Sequence, residues 1–132
     1  MKKILILFTL LLTAFVSQAQ INTYRTTGFY SSENTTYGWA NWSNKQPSNM
    51  IVKIDCNRDL VYIDSNYRQL YQIVQVIENG YDNDGNYIMG MRFIDQDGDR
   101  GTMKLVMRNN GQSQIYIIFG NVRWCYDVVK VQ

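Results

Sequence analysis

The chain is expected to fold as an all-β domain, an antiparallel meander of about eight strands closing into a small barrel or a flattened clam. Composition, alternation and turn spacing point the same way. Beyond residue 19 of the 132 there are one Ala, three Leu and two Glu, against 42 Ile, Val, Thr, Tyr, Phe and Trp. β-branched and aromatic side chains lose rotamer freedom in a helix but pack well on a pleated sheet. Apolar residues recur at every second position through much of the chain, and 13 Asn and nine Gly supply turn conformations between these runs.

The first 19 residues, MKKILILFTLLLTAFVSQA, have a different character. Lys2 and Lys3 form a positive start, Ile4 to Val16 an apolar run, and Ser17-Gln18-Ala19 a small-residue cleavage site, which is the pattern of a cleavable signal peptide. The 13-residue apolar run is shorter than the ~20 residues a spanning helix needs, so no transmembrane segment is expected after cleavage. Residues 20–132 then form a single β-barrel-like domain in the periplasm or outside the cell.

Each strand has its own signature. A less regular pair of strands is expected within Tyr24–Trp42. Met50, Val52, Ile54 and Cys56 alternate on one face. A turn at Asn57-Arg58 would set Ile54 opposite Val61 and Val52 opposite Ile63. A long strand follows over Gln69–Tyr81. Asp82-Asn83-Asp84-Gly85-Asn86 then reads as a hairpin turn into Tyr87–Asp95, where Tyr87, Met89, Met91 and Phe93 share a face. Asp95–Gly101 turns the chain into Thr102–Arg108. A three-residue Asn109-Asn110-Gly111 loop, with Gly111 left-handed, would oppose Leu105 to Ile115 and Met103 to Ile117. A two-residue turn would oppose Leu105 to Tyr116 instead, and the first register is preferred because it gathers Ile115, Ile117 and Phe119 with the methionines. Gly120–Arg123 leads into a last strand, Trp124–Val131.

The formal charge of +2 leaves with Lys2 and Lys3, so the remaining chain is formally neutral and a nucleic-acid partner is not suggested. Histidine is absent, which excludes Ser-His-Asp and Cys-His catalysis and histidine-ligated metals. No phosphate loop or nucleophile elbow is present, so a non-enzyme is expected.

Three constellations remain. Cys56 and Cys125 are the two cysteines of an exported chain. A disulfide between them is one reading, but alternating turns place them at opposite ends of a meander, and two buried free thiols are preferred. Asp95, Asp97 and Asp99, with Asp64 from a turn at the same end, are the candidate calcium ligands. The spacing departs from a calcium loop, however, and hairpin chemistry explains these residues as well; no cofactor is otherwise expected. The similar loop at Asp82 and Asp84 falls at the other end and cannot share an ion with them. Tyr37, Trp39 and Trp42 are the candidate binding residues. They lie in an aromatic segment that serves either as a stacking platform for a glycan or peptide or as a cover for one end of the core. Their spacing puts Trp39 and Trp42 on opposite faces of a regular strand, the outward one being the binding candidate.

The S-Q-A site before Gln20 resembles the leaders of exported Bacteroidota proteins. Trp39-x-x-Trp42 and residues 51–73 are similar to small exported β-rich proteins of that type, a likeness that implies no particular activity. The architecture resembles lipocalin-like and avidin-like barrels, although the G-x-W signature of lipocalins is not met at Gly38-Trp39. The expectation is an exported, non-catalytic binding or interaction module with a protein or glycan partner. The alternatives are a lipocalin-like carrier of a small apolar ligand and, further off, a carboxylate-dependent glycan-acting enzyme.

Overall fold

A computed structural model describes residues 21–131; the expected leader lies outside the described residues. The ten strands are β1 (Ile21–Thr35), β2 (Gly38–Trp39), β3 (Gln46–Pro47), β4 (Ile51–Asp55), β5 (Leu60–Asp64), β6 (Gln69–Tyr81), β7 (Tyr87–Asp95), β8 (Arg100–Met107), β9 (Ser113–Ile118) and β10 (Val122–Lys130). From β4 to β10 each strand pairs antiparallel with the next, and β1 closes the sheet by pairing with both β4 and β10. Eight strands thus form a barrel, with β2 and β3 as short additions along β1. Among the described residues no helix is long and apolar enough to cross a membrane.

The pair of strands expected within Tyr24–Trp42 is instead one 15-residue strand followed by a two-residue return. β1 stays extended because partners cover both its edges. β10 runs along Tyr24–Glu33, while β4, β3 and β2 take successive stretches of the other edge. A bulge between Thr26 and Gly28 shifts the β1–β10 register by one residue and bends the strand, as closure requires.

The β4–β5 register is the expected one, Val52 opposite Ile63 and Ile54 opposite Val61. The turn is wider than expected, because the last pair is Asp55 with Leu60 and Cys56 has left the strand. A two-residue turn would need positive φ at Asn57 and Arg58. The chain instead places Asp59 at φ 53°, and Asp55 Oδ1 accepts from the backbone N–H of Asn57 at 3.1 Å and of Arg58 at 3.2 Å.

Three later hairpins share one design. In Asp82–Asn86, Asp95–Asp99 and Arg108–Gln112 the first residue's N–H donates to the fifth residue's carbonyl, and the fourth residue's N–H donates back to the first residue's carbonyl. That fourth residue is Gly85, Gly98 or Gly111, at φ 83°, 85° and 85°. A three-residue loop ending in a left-handed residue matches the twist of the flanking strands, and glycine adopts that conformation without a Cβ penalty. Leu105 accordingly faces Ile115 and Met103 faces Ile117. β8 begins two residues earlier than expected, at Arg100. The final turn is the tighter Gly120-Asn121, closed by Phe119 N–H donating to the Val122 carbonyl at 2.8 Å.

The inner wall is packed by side chains. Phe93, Ile63, Met103, Ile115, Ile117, Val52 and Val61 are almost wholly buried, and Met89, Met107, Ile54 and Phe119 pack against them. Three tyrosines, Tyr24, Tyr71 and Tyr126, join this core. Two of their hydroxyls meet Gln69 inside it, Tyr71 donating to Gln69 Oε1 at 2.6 Å and Gln69 Nε2 donating to Tyr126 at 3.5 Å. Closure leaves a long free edge on β6. β6 outruns β5 beyond Ile73 and exposes Val74, Val76 and Ile77, with two bulges that interrupt a regular edge.

Candidate functional site

The binding candidates separate in space. Tyr37 stands at the tip of the β1–β2 turn, 99% exposed and remote from other rings. Trp39 and Trp42 do not take opposite faces, because Ala40 to Lys45 form no strand and the alternation expected of one does not apply. This strap lies beside β1, held by Ala40 N–H donating to the Glu33 carbonyl and Ser43 N–H to the Ser31 carbonyl, both at 2.8 Å. Both indoles turn onto one cation. The Arg123 guanidinium lies 4.8 Å from the Trp39 ring centre and 4.4 Å from that of Trp42. Arg123 Nε is buried with no hydrogen-bond partner while the residue as a whole is half-buried, and the two π faces stabilise its charge. Sequence reading singled out the tryptophans but not Arg123. The available signal was its place on β10 in the outward series Arg123, Cys125, Asp127.

Register explains what surrounds the strap. Tyr30, Cys125 and Tyr116 lie side by side across β1, β10 and β9, and Gly28, Asp127 and Gln114 form the next row. Trp42 reaches over the first row to Tyr116, ring centres 6.0 Å apart and tilted 59°. Beneath it a cleft of about 150 Å³ is lined by Tyr30, Trp42, Gln114, Tyr116 and Cys125. A second cleft of about 240 Å³ continues past Tyr30 and Gln114 to Lys45, Arg108, Ser113 and Asp127. The two share residues and form one groove on the outer wall.

Asp127 organises the polar part. Its Oδ2 accepts from the Tyr30 hydroxyl at 3.1 Å and pairs with Lys45 Nζ at 3.4 Å, while its Oδ1 accepts from Gln114 Nε2 at 3.1 Å. Gln114 Oε1 in turn accepts from Arg108 Nη2 at 2.8 Å and from the Tyr116 hydroxyl at 3.1 Å. Lys45 reaches Asp127 by lying across Gly28, where a Cβ would collide with its Cε.

Burial raises the groove's phenols and its thiol. Desolvation, then the Cys125 thiol alongside, pushes Tyr116 up to about 12, and desolvation pushes Cys125 up to about 11. Tyr30 is raised by desolvation and by its bond to Asp127. A thiol so raised is a poor nucleophile. Asp127 is the one carboxylate among the described residues lining the groove, so the acid–base pair of a glycosidase is not assembled there.

The other sequence candidates lie elsewhere. Cys56 and Cys125 are both free, and Cys56 is exposed in the β4–β5 turn rather than buried. Cys125 pairs with Tyr30 of β1, whereas Asp55, next to Cys56, pairs with Ile21, nine residues back along that strand. At about 3.3 Å per residue the thiols are ~30 Å apart, too far for a disulfide. Asp95, Asp97 and Asp99 line an open cleft of about 460 Å³ with Arg100, Phe119 and Trp124. Asp95 Oδ1 accepts from the N–H groups of Asp97 at 3.0 Å and Asp99 at 2.8 Å, so it is engaged in holding its own hairpin. Asp97 and Asp99 are solvent-exposed, unlike the desolvated acid that general-acid catalysis requires. Asp64 does not join them; it borders a separate cleft with Asn49, Met50 and Tyr67. Among the described residues no group of three or more Cys, Asp or Glu could hold a metal ion.

No protein-family model matches the chain, and no curated protein and no solved structure is significantly similar to it.

Proposed function

We propose that this protein is an exported, non-catalytic binding module of the periplasm, envelope or extracellular space that engages its partner through the outer-wall groove. One observation carries the reading. Tyr116, Tyr30, Asp127 and Gln114 stand on paired strands, and Trp42 and Lys45 of the strap and Arg108 of the β8–β9 hairpin are fixed against them by ring contact, ion pair and hydrogen bond, which is how a preorganised recognition surface is built. The filled interior favours this over a lipocalin-like carrier, because Phe93, Met103, Ile115 and Ile117 occupy the space an apolar ligand would need. The lone groove carboxylate favours it over a glycan-acting enzyme.

Retention of envelope material on immobilised protein tests the reading. Trp42→Ala, with an unchanged circular dichroism spectrum, is expected to lose the retained component, and Tyr37→Ala to keep it. Retention that survives Trp42→Ala would remove the groove from the proposal. Uptake of an apolar fluorescent probe that Phe93→Ala enhances would favour the carrier.

A further inference from the structure

Resting on the groove as the binding surface, we propose that its ligand is an acidic sugar, a pyranose bearing a carboxylate, with the ring against Trp42 and Tyr116 and the carboxylate between Lys45 and Arg108. The groove's two halves differ in chemistry. The smaller cleft presents tilted aromatic faces, suited to the C–H face of a sugar ring. The larger one carries two cations and one carboxylate. Asp127 is already satisfied by Lys45, Tyr30 and Gln114, so the half retains an excess of positive charge and of donors. Arg108 donates to the neutral Gln114 Oε1 and makes no ion pair among the described residues, which leaves the rest of its planar fork for an incoming carboxylate. Hydrogen bonds from Asn86, and in smaller part the Arg108 charge, hold the nearby Asp82 carboxyl below the usual range, but Asp82 and Arg108 form no ion pair among the described residues, and both Asp82 oxygens accept from Asp84 and Asn86 of its own hairpin. Lys45, with its side chain 54% exposed, can turn its remaining N–H bonds outward.

The strand pairing argues for a sugar over an acidic peptide. β9 and β8 are hydrogen-bonded on both edges, β10 is so as far as Val128, and β1 is covered by the strap and β3, so free main chain is offered to an extended peptide only at the rim beyond Val128. The polar contacts away from that rim are side-chain groups, which suit ring hydroxyls and a carboxylate.

Calorimetric titration of the purified protein with glucuronic acid, glucose and a short glutamate-containing peptide at low salt tests this. Glucuronic acid is expected to bind about tenfold or more tightly than glucose, a preference that fades as salt screens the charges. Arg108→Gln, on an exposed site, is expected to abolish the preference while leaving glucose binding in place, and Trp42→Ala to abolish both. Equal affinity for glucuronic acid and glucose would overturn the acidic ligand and leave the groove standing as a sugar site. Binding that Arg108→Gln and Lys45→Gln leave untouched lies elsewhere and overturns the proposal. Binding of the peptide alone, or of none of the three, overturns the sugar; whether the groove itself binds is then decided by the envelope-retention experiment.

Discussion

The hairpins of β6 to β9 and the strap over residues 36–50 are built on opposite principles. In the hairpins, residues within five positions of one another set the geometry: a left-handed glycine, two backbone bonds and, in Asp82–Asn86 and Asp95–Asp99, an aspartate that accepts from the chain it turns. In the strap short-range bonds hold only the return to β1, and the side-chain anchors are distant. Trp39 and Trp42 find their places on Arg123, over 80 positions away, and Lys45 finds its place on Asp127. The hairpins therefore deliver a rigid wall of known register, and the strap turns that wall into a groove. Recognition surfaces are commonly divided in this way between a rigid scaffold and an irregular segment laid on it.

The sharpest way to break the contrast is through the core both regions share. Phe93→Ala should destabilise the whole barrel by about 3–5 kcal/mol in chemical denaturation, because Phe93 is almost fully buried and its ring meets Tyr71 at 4.8 Å and Phe119 at 5.4 Å. Strap and hairpins should unfold together in that variant. Gly111→Val places a β-branched residue at φ 85° and should cost about 1–3 kcal/mol, with the Met107–Ser113 end of the β8–β9 ladder exchanging its amides faster.

Arg123→Ala probes the other region. Loss of two cation–π contacts should free the strap at a cost of about 1–2 kcal/mol. The readout is faster hydrogen exchange at the Ala40 and Ser43 amides while β7 and β8 stay protected; equal loss of protection in both regions would show that the strap is not a separate unit.

Alkaline pH separates the two thiols. Cys125 is raised from 9.0 to about 11 and Tyr116 from 10.0 to about 12 by burial, so each is neutral in the folded state over a range where the unfolded chain ionises. Stability is therefore unaffected below about pH 9, falls as pH rises from there towards 11 for the thiol, and falls further towards 12 for the phenol. Cys125→Ala should reduce the first part of that decline, leaving the share of Cys56, which desolvation also raises. At neutral pH a thiol reagent should modify the exposed Cys56 first and reach Cys125 only on unfolding.

The smallest effect is expected at Gly28→Ala. The obstructing atom is the far end of a flexible lysine, so Lys45 should swing away, the pair with Asp127 should open, and stability should change by about 0.5 kcal/mol or less. Groove binding should weaken all the same, which separates recognition from folding.

Much of the wall was legible before any coordinates. The pairings Val52–Ile63, Ile54–Val61, Met103–Ile117 and Leu105–Ile115 follow from alternation and loop length, and these residues, together with Met89, Met91, Phe93 and Phe119, lie in the core or against it. Tyr24, Tyr71 and Tyr126 were not predicted there, since a tyrosine's place depends on whether its hydroxyl finds a partner such as Gln69. The candidate site was legible only in part. Trp42 was visible as an aromatic in a polar segment, but Trp39 proved to be its partner rather than its alternative, and Tyr37 lies apart. Asp127, Gln114 and Arg123 sit on ordinary strand positions and Arg108 at a hairpin end, and only the barrel's closure through β1 brings them to the strap.

The all-β class, the hairpin registers and the inward face are written in local pattern, because period-two alternation and glycine turns act between near neighbours. That β1 stays whole, that the cysteines remain apart and that a groove exists on the outer wall are products of the closed sheet. Those outcomes depend on pairings between residues 26 to 34 positions apart across β1 and β4 and 89 to 106 apart across β1 and β10, where no local preference selects one partner over another and the free energy of closing the whole sheet makes the choice.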